Sequence, residues 1–280
     1  MSGGLRRSSF QTSTRVYQAR NSDFSPTAPF VVHVHLENVL IVALIRFFSE
    51  ETHADQFLAG RLHMNTVAYY KGKESANEDG REDPTEVTSI LLQPKDIVIN
   101  LSIPSIAKLT ITEADLAGPV SFSPMHHEDL RIYCMYAVHS EVFVVKDGDW
   151  SLDEALLDQV HSDFRFHPKL AGFGNFAVLV QPQGFFEKLL SAAKIRALNV
   201  RGRLVKYYDR SSFSGEIPGD EVPFWKSNIF DYQREFRVCA DSLEQLGHAL
   251  TLDIGDLSTI GTKYHTADLL RGEVRLARNT

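Results

Sequence analysis

The sequence predicts an α+β fold whose mixed or mostly antiparallel sheet is accompanied by a few short helices. Three observations favour this class. Segments rich in β-branched residues outnumber segments with helical periodicity, and most of them end at turn-forming residues. The chain has 280 residues, of which 43% are hydrophobic and 23% charged, which is typical of a globular protein. This length buries a core without disulfides or metals.

The chain divides into a leader and one domain. Residues 1–29 are rich in Ser, Thr, Arg and Gln, contain Asp23 as their only acid and have no hydrophobic period, so we expect a mobile leader. An acid-poor, Arg-rich start is also typical of organelle transit peptides, although no clear amphipathic helix is present. Residues 30–280 contain no repeat, heptad pattern or Gly/Ser linker, and we expect them to form a single α+β domain.

The first elements are expected to be strands and short helices in alternation. The β-branched residues of 30–48 favour one or two buried strands. Residues 50–59 place Ala54, Phe57 and Leu58 on one helical face, and Gly60 is expected to end that helix. A strand or second short helix follows over 62–70. Residues 88–103 are typical of two strands around a Pro-Lys-Asp turn.

The later part of the chain is dominated by strand candidates. They are residues 131–138, 142–145, 176–181, 203–208, 234–240 and 249–254. Helical spacing of apolar residues is found in only two later segments, 152–164 and 184–193.

Charge, hydropathy and cysteine content exclude some functional classes. A formal net charge of −7 argues against bulk attraction to nucleic acid or an anionic membrane. The longest apolar run, residues 39–48, is interrupted by Arg46 and is shorter than the roughly 20 residues of a membrane-spanning helix. The two cysteines, Cys134 and Cys239, lie in apolar strand-like settings and are expected to be core residues of a soluble protein in a reducing cytoplasm.

Residues 52–86 have the highest density of chemically active side chains. They include two adjacent tyrosines, Tyr69 and Tyr70, and an acidic loop around a single arginine, Arg81. The acids of this loop are Glu74, Glu78, Asp79, Glu82, Asp83 and Glu86. We expect Arg81 to pair with one of them and to order the loop. One alternative is a divalent-metal site for phosphodiester cleavage, with a phosphate held by Lys95, and another is a solvated surface loop.

Two other clusters do not match the spacing of known sites. Gly172 and Gly174 form a lone Gly-x-Gly without the third glycine of a dinucleotide fingerprint. Residues 126–129 have the side-chain types of metal ligands, but adjacent residues point apart and no second ligand pair follows. We therefore expect no metal site.

Residues 224–240 contain a second candidate site. If 230–238 is a strand, its period of two places Gln233, Glu235 and Arg237 on the face opposite Phe236 and Val238. Three interpretations follow. The polar face is solvated, or it floors a cleft, or Glu235 is buried and paired with Arg46 or Arg237.

Gln233-Arg234-Glu235 on a late strand resembles the Gln-x-Glu signature of the Arg-Ser-Glu class of ADP-ribosyltransferases. The resemblance implies a split-sheet core, NAD as substrate, and a Glu235 that acts at the NAD ribose while Gln233 helps to select the acceptor. It further implies an early-strand arginine, matched by Arg46, and an aromatic residue over the nicotinamide. Ser-Thr-Ser, which the class has on a middle strand, is absent, and residues 211–214 read Ser-Ser-Phe-Ser.

The resemblance assigns a role to each candidate residue. Glu235, Gln233 and Tyr70 are the expected catalytic residues. Arg46, Arg81 and Tyr69 are expected to bind NAD, since a guanidinium grips pyrophosphate with two hydrogen bonds and an aromatic face holds the cationic nicotinamide. A carboxylate stabilises the positive charge that develops on the ribose.

A second resemblance concerns the pattern along the chain. The chain is similar in three places to uncharacterised bacterial proteins encoded near prophage or defence genes. These places are residues 54–74, the Arg81-x-Asp83-x-x-Glu86 spacing, and Phe224-x-Lys226 followed by YQREFRV. Together the resemblances imply ADP-ribosyl transfer to a macromolecular acceptor, as by a toxin in phage-host conflict. The sequence does not distinguish a protein, RNA or DNA acceptor, and it does not give the oligomeric state. The alternatives are the metal-dependent nuclease and a non-catalytic protein-binding module with an acidic surface.

Overall fold

A computed structural model describes residues 32–34, 39–73, 87–103, 107–142, 144–146, 149–151, 156–241 and 247–274. The leader, residues 1–29, lies outside the described residues, and so does the acidic loop with Arg81, Asp83 and Glu86. The described residues form helices and mostly antiparallel sheets, which confirms the α+β class.

The strands of the described residues are β1 Val32–Val34, β2 Leu40–Phe48, β3 Arg61–Thr66, β4 Ile90–Leu92, β5 Ile99–Ile103, β6 Ala107–Ile111, β7 Val120–Phe122, β8 Arg131–Ser140, β9 Val144–Lys146, β10 Asp149–Ser151, β11 Phe176–Val180, β12 Asn199–Leu204, β13 Lys206–Tyr208, β14 Gly215–Glu216, β15 Trp225–Ser227, β16 Glu235–Asp241, β17 Leu250–Asp253 and β18 Gly261–His265. The helices are α1 Glu51–Leu58, α2 Val67–Lys73, α3 Leu157–Asp163, α4 Pro182–Ile195 and α5 Thr266–Leu269. Short 3-10 helices include Pro168–Phe173 and Asn228–Gln233.

One large sheet organises the fold. Its strand order is β1-β12-β16-β8-β2-β11-β18, and β3 joins it through β8 while β17 pairs with β3. The pairing of β1 with β12 is parallel, and the other pairings in this sheet are antiparallel. Smaller units are a sheet of order β14-β4-β7, the hairpins β5–β6 and β9–β10, and the parallel pair β13–β15.

One face of the large sheet is covered by α4 and α1. Phe185 and Leu189 of α4 and Phe57 of α1 are fully buried against alternate residues of the central strands, among them Leu44 and Val238. Pro182 occupies the first turn of α4, where its missing N–H costs no helical hydrogen bond. This layer is the main hydrophobic core.

The opposite face carries two separate cores. The first packs Val160 of α3 and Phe164 against Ile45 of β2. The second packs Val67 of α2 and Phe224 against the other end of the sheet. A polar region lies between these two apolar clusters, over the middle of β8 and the start of β16.

The sheet is split beside β8. Strand β2 pairs with β8 as far as Ile45, which lies opposite Tyr136, whereas β3 pairs with the same edge of β8 only at residues 131 and 132. Residues 133–135 of β8 therefore have no regular strand partner on this side among the described residues. The gap opens directly above the polar region.

The sequence placed most elements correctly. The predicted helices at 50–59 and 184–193 are α1 and α4, and the predicted segment at 62–70 contains β3 and the start of α2. The strand predicted over 234–240 is β16, but the extension of this strand back to residue 230, considered for the candidate site, is wrong, because residues 228–233 form a 3-10 helix. Arg234 then takes a left-handed conformation, with φ of 40° and ψ of 51°, before β16 begins at Glu235. Within the described residues, no helix is both long and apolar enough to cross a membrane.

Gly174 sets the path of the chain beside the split. It has a φ of +136° and lies so close to the end of β2 that an added Cβ would be 2.3 Å from the backbone carbon of Phe48. A side chain there meets an unfavourable backbone conformation and a clash with main-chain atoms that cannot rotate away. Only glycine allows the 3-10 helix that ends at Phe173 to pack against β2.

We therefore expect Gly174→Ala to reduce the free energy of unfolding by about 3 kcal/mol or more. Urea denaturation followed by circular dichroism measures this change. Gly172→Ala is the matched control, since a Cβ at Gly172 meets no atom within 4 Å and the substitution should stay within about 0.5 kcal/mol of the wild type. Equal stabilities of the two variants would contradict this account of the turn.

Candidate functional site

A cavity of about 220 Å³ lies in the polar region between the two smaller cores, at the split. Its walls come from β2, α2, β8, β15, β16 and both 3-10 helices named above. The lining residues are Ile45, Arg46, Phe47, Tyr70, Ile132, Cys134, Met135, Tyr136, Phe173, Lys226, Gln233, Glu235 and Arg237. Four of the residues selected from the sequence, Arg46, Tyr70, Gln233 and Glu235, are thus brought together from distant parts of the chain.

Arg46 occupies the gap between β2 and β3. One of its terminal nitrogens, Nη1, donates a hydrogen bond to the backbone carbonyl of Cys134, which lies where the ladder between β2 and β8 has ended. The carbon Cζ of its guanidinium stands 4.8 Å from the ring centroid of Tyr133. Its buried Nε has no acceptor among the described residues. The guanidinium therefore replaces a strand partner and keeps a donor available.

Glu235 forms the floor of the cavity. Its side chain accepts a hydrogen bond of 2.6 Å from Nε of Arg237 on one carboxylate oxygen, and the other oxygen lies 3.5 Å from Nζ of Lys226. The thiol of Cys134 also hydrogen-bonds to this carboxylate. Glu235 is 5% exposed and Arg237 is fully buried. The solvated interpretation of this strand face is therefore wrong, and the other two hold together: the residues floor a cavity and form a buried ion pair.

The pKa of Glu235 reflects a competition between burial and charge. Burial alone would raise the pKa of this carboxyl, but Arg237 and Lys226 hold the pKa well below its usual range. The carboxylate is consequently ionised at physiological pH. It can stabilise positive charge or accept a hydrogen bond, but it carries no proton to donate.

Gln233 reaches the cavity from the 3-10 helix and not from the strand. Its side-chain oxygen accepts a hydrogen bond of 2.8 Å from Nζ of Lys226. The left-handed turn at Arg234 lets Gln233 and Glu235 lie on one side although the strand begins between them. The sequence predicted Gln233 beside Glu235 on one strand face. In the structure Gln233 reaches the same position from the end of a 3-10 helix.

Tyr70 and Tyr69 take different positions on α2. The start of this helix is tied to the chain before β8 by the hydrogen bond from the amide of Val67 to the carbonyl of Leu130. Tyr70 lines the cavity, whereas Tyr69 is 44% exposed, is not among the lining residues and contacts Tyr70 edge-to-face at 5.5 Å. Of the two predicted tyrosines, Tyr70 is therefore the one placed to contact a ligand in the cavity, which Phe47, Tyr136 and Phe173 also line. Arg81, the sixth predicted site residue, lies outside the described residues.

Three of the lining residues that interact with Glu235 were not among the predicted catalytic or NAD-binding residues: Lys226, Arg237 and Cys134. The sequence marks Lys226 only through the Phe224-x-Lys226 pattern, and this spacing fixes no shared strand face, because Phe224 ends a 3-10 helix and Lys226 lies in β15. Arg237 follows Glu235 at strand spacing, and this spacing places the two side chains on one face. Cys134 has no comparable signal.

The described residues do not support the metal interpretations. They contain no group of three or more His, Cys, Asp or Glu residues that could hold a metal ion. Glu128 instead pairs with Lys71 at 3.3 Å. The acids of the predicted nuclease site, Glu74, Asp83 and Glu86, fall outside the described residues, and Lys95 is exposed on a separate 3-10 helix, Pro94–Asp96.

Comparisons of the chain with protein-family models, with curated proteins and with solved structures found no match. The geometry of the cavity is therefore the basis for any functional conclusion.

The buried pair predicts a large loss of stability on replacement of Glu235 by Gln. The substitution keeps the shape of the side chain but leaves Arg237 and Lys226 buried without their carboxylate, so the free energy of unfolding should fall by about 3–5 kcal/mol at pH 7. Urea denaturation of the variant and of Glu216→Gln, an exposed control on β14, measures this difference. A loss below about 0.5 kcal/mol, as for a surface substitution, would contradict the buried pair.

The depressed pKa of Glu235 also predicts how stability depends on pH. A carboxylate whose pKa is lower in the folded state stabilises the protein above the unfolded value, about 4.3 for Glu, and this contribution is lost as the pH falls through the folded value. The stability gap between wild type and Glu235→Gln should therefore be constant from pH 7 to 5 and shrink below about pH 4. Thermal unfolding across this range measures the gap, and a gap that widens on acidification would refute the assigned direction.

Proposed function

We propose that the protein transfers ADP-ribose from NAD to a macromolecular acceptor, and that the cavity receives the nicotinamide-ribose end of NAD. The observation that carries the proposal is the convergence of Arg46, Tyr70, Gln233 and Glu235 on one cavity. Each has a residue type suited to its role in this reaction. All four are also buried or half-buried, which favours electrostatic interactions with a bound substrate.

The position of the cavity supports the same proposal. It lies where β2 and β3 separate along β8, so the two halves of the sheet meet at the site. We take this separation as the counterpart of the split-sheet core that the resemblance to ADP-ribosyltransferases implies. The absence of Ser-Thr-Ser means that the walls of the pocket differ from those of that class.

In the proposed reaction the bond between ribose C1′ and the nicotinamide nitrogen breaks, and its electron pair leaves with the nicotinamide. A lone pair of the acceptor forms the new bond to C1′, and the acceptor proton passes to water. Positive charge on the ribose is stabilised by the ionised carboxylate of Glu235. The ring of Tyr70 suits the cationic nicotinamide, and Arg46 offers a buried donor to a phosphate oxygen.

The size of the cavity limits what the described residues enclose. A volume of about 220 Å³ is below the roughly 300–1,000 Å³ of pockets that hold drug-sized ligands. The reacting end of NAD is thus the part that the proposal places inside, while the adenosine lies outside the cavity. We propose that Arg81 and Tyr69 contact the part of NAD that lies outside the cavity. The proposal places this reaction in a bacterial cytoplasm, as part of phage-host conflict.

Glu235→Asp tests the proposal with the charge retained. The shorter side chain keeps a carboxylate near Arg237 but withdraws it by about one carbon-carbon bond, and a displacement of roughly 1 Å can lower a rate about 100-fold. We therefore expect nicotinamide release from labelled NAD to fall about 100-fold. Glu216→Asp, on the exposed strand β14, is the control and should react as the wild type does.

The wild type decides whether the reaction occurs. It should release nicotinamide and show an NAD-dependent rise in melting temperature, because a ligand that binds only the folded state stabilises it. The proposal fails if the wild type releases no nicotinamide with protein, RNA, DNA or water as acceptor and NAD does not shift its melting temperature. Binding without release would also exclude the transfer reaction.

A further inference from the structure

Glu235 begins β16 at a point where the regular pairing with β12 has ended. The last residue pair of that ladder is Leu204 opposite Phe236, so Glu235 lies one residue beyond it. Its backbone carbonyl accepts a hydrogen bond of 2.8 Å from the amide of Val205. Its backbone amide donates a hydrogen bond of 2.9 Å to the side-chain hydroxyl of Tyr207. A side chain thus stands where a continued ladder would supply a backbone carbonyl.

Tyr207 belongs to the small parallel pair β13–β15. It lies opposite Lys226 in this pair, so the residue that holds the amide of Glu235 and the residue that contacts its carboxylate are neighbours in one unit. Nζ of Lys226 is 3.5 Å from Oε2 of Glu235, which is longer than a typical N–H···O hydrogen bond. Small shifts between β15 and β16 would therefore weaken this contact further. The hydroxyl of Tyr207 is a direct hydrogen bond between the two units and limits such shifts.

The hydroxyl of Tyr207 suits this role because it stays neutral. Burial and the negative charge of Glu235 raise the pKa of Tyr207 well above its usual range. The phenolic oxygen therefore accepts the amide hydrogen of Glu235 at physiological pH without placing a second negative charge beside the carboxylate. Tyr207 is not among the residues that line the cavity. Any effect of Tyr207 on a ligand must consequently pass through Glu235.

We propose that Tyr207 is a positioning residue: its hydroxyl holds the first residue of β16 against β13–β15 and thereby sets the place of the Glu235 carboxylate relative to Lys226. This inference rests on the proposed function, to which it adds a residue outside the cavity. Electrostatic stabilisation depends on charged groups that are in place before the reaction, so a carboxylate that can shift stabilises the ribose charge less. Loss of the hydroxyl should slow the chemical step and spare the binding of NAD.

Tyr207→Phe removes the hydroxyl alone and tests the proposal. Since a displacement of roughly 1 Å can lower a rate about 100-fold, we expect kcat for nicotinamide release to fall at least about tenfold. KM for NAD should stay within about twofold of the wild type, because Tyr207 lies outside the cavity lining. Tyr264→Phe is the matched control, since this ring is 38% exposed on β18, and it should leave kcat and KM unchanged.

A spectroscopic readout separates positioning from a general loss of stability. Burial raises the pKa of Glu235, but Arg237 and Lys226 together hold the pKa well below its usual range. A looser contact with Lys226 should therefore raise this pKa. Carbon-detected NMR follows the carboxyl carbon of Glu235 as the solution is acidified. The carboxyl should begin to titrate at a higher pH in Tyr207→Phe than in the wild type, and in Tyr264→Phe as in the wild type.

The results distinguish this inference from the proposed function. An unchanged kcat in Tyr207→Phe, or a lower kcat with the wild-type titration of Glu235, overturns the positioning role while the transfer reaction stands. No nicotinamide release by the wild type overturns the proposed function, and the two Glu235 titrations then decide the positioning role alone.

If Tyr207→Phe does not fold, amide hydrogen exchange of the wild type decides the matter. The amide of Glu235 should be protected as strongly as the amides within the β16 ladder, because the hydroxyl of Tyr207 replaces a strand partner. Exchange as fast as that of an exposed loop amide overturns the proposal.

Discussion

The carboxylate of Glu235, shared by Arg237 and Lys226, is the interaction on which the candidate site depends. Ions buried in a protein interior are tolerated when each has a partner of opposite charge and good geometry. Here the 2.6 Å contact with Arg237 lies within β16, and the 3.5 Å contact with Lys226 joins β16 to β15. The same contacts fix the protonation of Glu235 and the orientation of Gln233. Removal of one charge therefore affects the fold and the chemistry together.

Arg234 is the single residue between the 3-10 helix that ends at Gln233 and the strand that begins at Glu235, and it is left-handed. The observed φ of 40° at Arg234 places the 3-10 helix beside the cavity. The amide of Ala137 still bonds to the carbonyl of Arg234, so the ladder with β8 continues past the turn. A non-glycine residue in this conformation is uncommon and is found in structures at functional sites.

The sequence predicted the elements where one local pattern dominates. Helix α1 is marked by Ala54 and Phe57 on one face and by Gly60 after its end, and β8 is marked by a run of apolar residues, so both were placed closely. The segment before β16 was misplaced, because Phe230 and Tyr232 continue the period of two while tertiary contacts of Gln233 determine the actual backbone. Propensity gives way where a buried polar group must find its partner. Short strands such as β14 have too few residues to show any pattern.

The candidate site was predictable in its residue types and not in its electrostatics. Arg46, Tyr70, Gln233 and Glu235 were selected from the sequence and lie together. The burial of Glu235 was one of three interpretations, because the alternation of a strand does not reveal what covers its polar face. Lys226 is contributed by a different strand, β15, and the 3-10 helix that follows it brings Gln233 within 2.8 Å of Nζ. The distance of 3.5 Å from Lys226 to Glu235 depends on how β15 packs against the large sheet. Contacts of this kind are set by the whole fold.

The split beside β8 leaves one side of that strand without ladder hydrogen bonds over residues 133–135 among the described residues. The ladder of β2 ends at Ile45, and β3 is joined to β8 through two residue pairs only, while β3 pairs more extensively with β17. Arg46 supplies a hydrogen bond to the Cys134 carbonyl within this gap. Leu62, Met64 and Leu252 of β3 and β17 are buried in the main core, so side-chain packing and not backbone pairing holds the two strands against the sheet. The backbone of the gap is thereby left to polar side chains, and this is how a cavity with polar walls is accommodated inside a continuous core.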